Sequence, residues 1–177
     1  MNGFTRSRLR VKPFIYEMEL TAADIPGRMA QAFDFTFEYC MGVIDYDGQP
    51  PRLFLEEPVM GRGGPGATIP QAFVDGAIMA GAYQAGAVLS LINNSSWKKK
   101  VCGNGNANKL VVSEWVEENW PVLYTKAVPM TLSAAKSAGY PDLEGRGDQD
   151  VLDAGCINLH GWKYVKMIEK IMRRRDG

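Results

Sequence analysis

The sequence predicts an α/β fold with helices covering a mixed sheet, and three observations predict it. Short apolar runs with strand character alternate with longer segments in which apolar residues recur at helical spacing. Clusters of Gly, Pro, Asn and Asp separate them, as turns require. The 177 residues, 46% of them hydrophobic and 23% charged, suffice for one buried core. Neither an internal repeat nor a linker divides the chain, so one domain is expected over residues 1–177.

The elements follow in order. Leu9–Leu20 reads as a strand, because Val11, Phe14, Tyr16 and Met18 partly alternate; Pro13 places it at a sheet edge. Thr21 and Asp24 are N-cap candidates, and Pro26 suits a first helical turn. A helix is expected from about Pro26 to Val43, with Met29, Phe33, Phe37 and Cys40 on its apolar side. Asp45–Pro51 is turn chemistry, and Arg52–Leu55 a short strand ending at Glu56. Met60–Thr68 forms a Gly-rich loop ahead of a Gly/Ala helix over Gln71–Asn93. Gly76, Gly81 and Gly86 recur every five residues there, which predicts close packing to offset their poor helix propensity. Ser96–Val101 is expected as a strand and Gly103–Ala107 as a tight turn, with Asn106 or Asn108 capping a helix to Trp120. Pro121–Gly147 is weakly patterned, and a last helix runs from near Asp148 towards Arg175.

Composition narrows the function classes. No apolar run is long enough for a membrane-spanning helix, and the first ten residues lack the apolar core of a secretory signal. Cys40, Cys102 and Cys156 are scattered, odd in number and without a CxxC pair, so the expectation is a reducing, cytoplasmic setting with neither disulfide framework nor zinc site. Net charge is zero, but the charges are segregated. Basic residues gather at Arg6–Lys12, at Lys98–Lys100 with Lys109, and over Lys163–Arg175; acids gather at Glu56 and Glu57, Glu114–Glu118 and Asp142–Asp153. A neutral chain so arranged can still present a basic face to phosphates. The Arg173–Arg175 tail alone reads as solvated surface.

Three carboxylates stand where chemistry could use them. Glu56 ends an apolar strand just before a Gly-rich loop, a position at the edge cleft of a sheet. Asp150 and Asp153 lie at i and i+3 on one helix face, about 5–6 Å apart at Cβ, where like charges repel unless a cation stands by. Hard oxygen ligands of this kind suit Mg²⁺ or Mn²⁺. Taken alone, the Asp pair also reads as complementing a helix N-terminus. Between these acids lies Trp97–Lys109, WKKKVCGNGNANK. Its lysines are point charges for phosphate, and Gly103 and Gly105 let backbone N–H groups approach closely. Glu57 should point away from Glu56 across an extended strand. His160, seven residues after Asp153, reads as a polar residue on a packed helix, and the four tryptophans as core or interface.

Together the motifs resemble the RuvC family of Holliday-junction endonucleases, which have an RNase H-like fold. That family carries a strand-end I-E, a small-residue helix, a V-K-x-x-V-x-G-x-G-x-A-x-K segment and a D-x-x-D-A helix. Here Leu55-Glu56, the Gly/Ala helix, Trp97–Lys109 and Asp150-Val151-Leu152-Asp153-Ala154 match them in order, over about Leu53–His160. The resemblance implies a structure-selective endonuclease that acts on four-way (branched) DNA as a homodimer. It implies Glu56, Asp150 and Asp153 as catalytic ligands of Mg²⁺ or Mn²⁺, converging at one end of the sheet. It implies DNA contacts from Lys98, Lys99, Lys100, Gly103, Gly105 and Lys109, with Lys109 also stabilising charge at the scissile phosphate. The family has a fourth carboxylate, an Asp in a G-I-D-x-G strand that should precede Leu9–Leu20, and the chain starts after that point. Asp45 imitates it, but only ten residues separate Asp45 from Glu56, so it reads as a turn residue. The expectation is impaired or absent cleavage with junction binding retained.

Overall fold

The computed structural model describes residues 20–47, 50–58, 65–137 and 139–175. The strand expected over Leu9–Leu20 falls outside them but for its last residue, as does most of the Gly-rich loop. The described residues form two compact units, divided at Ile92/Asn93.

The first unit holds α1 (Ile25–Asp47), β1 (Arg52–Glu56), α2 (Pro65–Gln84) and β2 (Val88–Ile92). Asp24 caps α1, its Oδ1 accepting from the Gly27 N–H at 2.7 Å. Ala32, Thr36 and Cys40, four apart, form the buried stripe, while Phe33 and Phe37 stack beside it at 6.2 Å. The helix continues past Val43 to Asp47, so Asp45 is a helical residue rather than a turn residue. Strands β1 and β2 pair in parallel, Arg52 opposite Val88 through Glu56 opposite Ile92, with α2 as the crossover.

Two sequence expectations change here. The helix starts at Pro65, inside the expected loop, and stops at Gln84, not Asn93. Gly86 ends it: with φ at +74° its N–H reaches the Tyr83 carbonyl, and the Ala87 N–H reaches that of Ala82. This is a Schellman closure, which favours glycine. The chain is thereby released into β2, which the sequence reading had merged into the helix. Of the three regularly spaced glycines only Gly81 serves close packing. A Cβ there would stand 2.6 Å from the Phe33 carbonyl oxygen of α1, whereas one at Gly76 would meet nothing within 4 Å.

The second unit is helical: α3 (Asn94–Cys102), α4 (Lys109–Asn119), α5 (Pro121–Lys126), α6 (Leu132–Ser137), a 3₁₀ turn at Pro141–Leu143, and α7 (Gln149–Arg175). Its core contains Trp97, Val112, Val116, Leu123, Leu143, Leu152 and Cys156. Ser96–Val101 is thus helix, not strand. The Asn93 side chain accepts from the Ser96 N–H, starting a helix whose Trp97 and Val101 bury one face at a spacing of four. Among the tryptophans, Trp97 and Trp120 are core, while Trp162 is 43% exposed. Among the described residues no helix is long and apolar enough to cross a membrane.

Candidate nucleic-acid interface

The basic segment is built by α3, a turn and the start of α4. Lys99 and Lys100 are exposed in the last turn of α3, where cations complement the helix dipole. Half-buried Lys98 lies with its Nζ 5.4 Å from the centroid of the Trp97 ring, an anchor for its stem. Gly103 ends α3 with φ at +79°, a left-handed conformation. Gly105 sits against α3; a Cβ there would come 3.1 Å from the Ser95 carbonyl oxygen. Asn104 orders the turn, its Oδ1 accepting from the Asn106 N–H at 3.0 Å and its carbonyl from the Ala107 N–H at 3.1 Å. Asn108 then caps α4 by accepting from the Val111 N–H at 3.0 Å, the cap expected from sequence. Lys109 is the first residue of α4, so its charge adds to the positive end of that helix, an arrangement suited to anions.

Helix α7 packs against α3 and α4. Asp148 caps it, its Oδ1 accepting from the Asp150 N–H at 2.9 Å. Asp150 is exposed in the first turn, and Asp153 is half-buried one turn on. Asp153 accepts through Oδ1 from Nε2 of the buried Gln149 at 2.7 Å. Burial, with the Asp153 charge adding and Lys98 opposing, pushes the Cys102 thiol up to about 11. The packing of α7 against α3 and α4 joins the lysine segment to the Asp pair within one unit. All three cysteines are free thiols.

Two neighbours were not legible in the sequence. Burial and then the charges of Lys100 and Lys163 hold the His160 imidazole below its ordinary range, and its Nδ1 is buried without a hydrogen-bond partner. Lys163 stands one turn after His160 on α7. In the other unit, Glu56 ends β1 as expected, and burial followed by the Glu56 charge raises the Asp75 carboxyl on α2. The acids at Glu114 and Glu117 face Arg146, at 3.8 and 3.5 Å.

His160 carries a pH prediction. Its lowered value means the neutral ring is favoured by folding, so its contribution is present above the unfolded histidine value of about 6.5 and is lost as pH falls through the lower folded value. The chain has one histidine, so its Hε1 proton resonance should titrate below pH 6.5 in wild-type protein, with stability declining in the same window. A midpoint at or above 6.5 contradicts this account of its surroundings.

Among the described residues no group of three or more His, Cys, Asp or Glu side chains stands together to hold a metal ion. Glu56 belongs to one unit, and Asp150 and Asp153 to the other. Magnesium commonly takes one or two carboxylates, keeps several waters and completes its shell with substrate phosphate. Asp150 and Asp153 match that donor set, and the buried amide of Gln149, its Oε1 without a partner, is held against Asp153. Asp150 and Asp153 fit one such ion shared with a phosphate.

No family model matches the sequence, and no curated protein matches it. Among solved structures, the Thermus thermophilus RuvC structure matches with a TM-score of 0.53 and 17% identity, over 81% of this chain and 71% of that one. An identity this low speaks to fold alone. The chain is a mostly helical α/β protein with a small parallel sheet, and its fold is similar to that of the Thermus thermophilus RuvC structure.

Proposed function

We propose that this chain binds branched DNA, four-way junctions in particular, through the α3–α4 lysine segment. The observation that carries the reading is that α7, which bears the Asp pair, packs against α3 and α4, which bear the lysines. Lys98, Lys99, Lys100 and Lys109, with the backbone at Gly103 and Gly105, meet phosphates. Asp150 and Asp153 hold Mg²⁺ or Mn²⁺ against one of those phosphates, and the ion's role when bound is to offset their repulsion and polarise the phosphate. In this reading residues 1–177 act as one RuvC-type domain. A homodimer matches the two-fold symmetry of a junction.

A second reading, a structure-selective endonuclease, is favoured by Glu56 at the strand end and by the Asp pair. It would give Lys109 the charge at the scissile phosphate.

The test is salt-dependent binding to a synthetic four-way junction by fluorescence anisotropy. Lys98→Ala and Lys109→Ala should each weaken binding and lower the slope of log K against log salt by about 1. Wild-type slopes in both variants would remove the segment from the interface. Equal affinity for junction and duplex would favour an α/β protein of unrelated role.

A further inference from the structure

We propose that Gln149 is a positioning residue for Asp153, holding its carboxylate in the orientation that meets a divalent cation; the inference rests on the reading of Asp153 as a ligand. Gln149 is the first residue of α7 and is 2% exposed, among the largest fully buried side chains of the chain. Its Nε2 donates to Asp153 Oδ1 at 2.7 Å, one helical turn away. Such i,i+4 pairs are common on helix surfaces. Here the donor is buried, so little water competes for it, and the bond is stronger than an exposed one.

A side chain that merely filled this space would be apolar, because an amide loses its water on burial. The other end of the amide shows the mismatch: Oε1 is buried with no hydrogen-bond partner. Turning the amide over would set Oε1 against Asp153 Oδ1, acceptor against acceptor, so the bond to Asp153 fixes which way the amide faces. What the position obtains for an unsatisfied carbonyl is the N–H bond to Asp153. The two acids are thus held by separate devices. The Asp148 cap fixes the backbone at Asp150, whereas Gln149 fixes the side chain of Asp153. Carboxylate ligands supported by such outer partners typically lose 10- to 100-fold in metal affinity when the partner is removed.

The experiment uses the full chain and Mn²⁺ alone, followed by paramagnetic broadening of the ¹⁵N-labelled amides of residues 150–154. The wild type should broaden there first. Asp153→Asn should abolish the selective broadening, and Gln149→Met should need about 10- to 100-fold more Mn²⁺. If Asp153→Asn broadens like the wild type, Asp153 is not a ligand and the inference falls with that reading. If Asp153→Asn abolishes the effect but Gln149→Met matches the wild type, the ligand stands and the positioning role is wrong. A measurement on the unmodified chain decides the matter even if Gln149→Met does not fold. The Gln149 side-chain amide protons should exchange slowly with solvent, and exchange at the rate of a free amide overturns the proposal.

Discussion

Replacing Trp97 by alanine should lower stability by about 3–5 kcal/mol, the range for a fully buried aromatic cut to a methyl group. Trp97 is 0% exposed and is the largest of the completely buried side chains. It lies on α3, which packs against α4 and α7, so the cavity would open where three helices meet. For a chain of this size the loss corresponds to a fall in melting temperature on the order of 10 °C. Trp162→Ala is the control: at 43% exposure it removes far less buried surface and should shift the urea midpoint much less. Equal losses from the two would contradict the placement of the core. Because Lys98 leans on the Trp97 ring, Trp97→Ala should also weaken DNA binding at temperatures where the variant remains folded.

The second large effect concerns cleavage. On a mobile four-way junction with Mg²⁺ or Mn²⁺, this chain should cut at least about 100-fold more slowly than a resolvase with four catalytic acids, while still binding. Two-ion hydrolysis needs ligands that hold the ions about 3.5–4 Å apart. Asp150 and Asp153 fit one ion, and among the described residues no group of three or more His, Cys, Asp or Glu side chains is placed to hold one. A misplacement near 1 Å costs on the order of 100-fold in rate. Binding rests on lysines and backbone groups and should suffer less. The assay is the appearance of paired nicks on denaturing gels. Symmetric nicking at the rate of the control would establish the endonuclease reading, and Asp75, beside Glu56, would be the first residue to replace.

Where local chemistry decides, the sequence was readable. Asn108, one of the two caps the sequence offers, and Asp148, near which the last helix is expected to begin, start α4 and α7 through side-chain caps. The strand end at Glu56 was equally visible. Strand β2 was not, because it follows Ala85-Gly86-Ala87 with no break in the small-residue pattern. The end of α2 ahead of it depends on the positive φ of Gly86, and five residues of a parallel strand need show no alternation. Likewise Trp97–Val101 carries bulky residues suited to a strand, and only the Asn93 cap and the spacing of four betray a helix. In the candidate site the lysines and the Asp pair were legible as charges at revealing intervals. Gln149 and Asp75 were not: a glutamine at a helix start and an acid in mid-helix acquire meaning only from what packs beside them.

The central claim is that this fold binds branched DNA, and a direct comparison tests it. The wild-type chain is titrated, by fluorescence anisotropy without divalent ions, into a labelled four-way junction and into a linear duplex of the same length. The account predicts that the junction binds about tenfold more tightly or better, a difference of about 1.4 kcal/mol. It also predicts that the affinity falls steeply with added salt. Equal affinity for the two DNAs, or binding indifferent to salt, would contradict it.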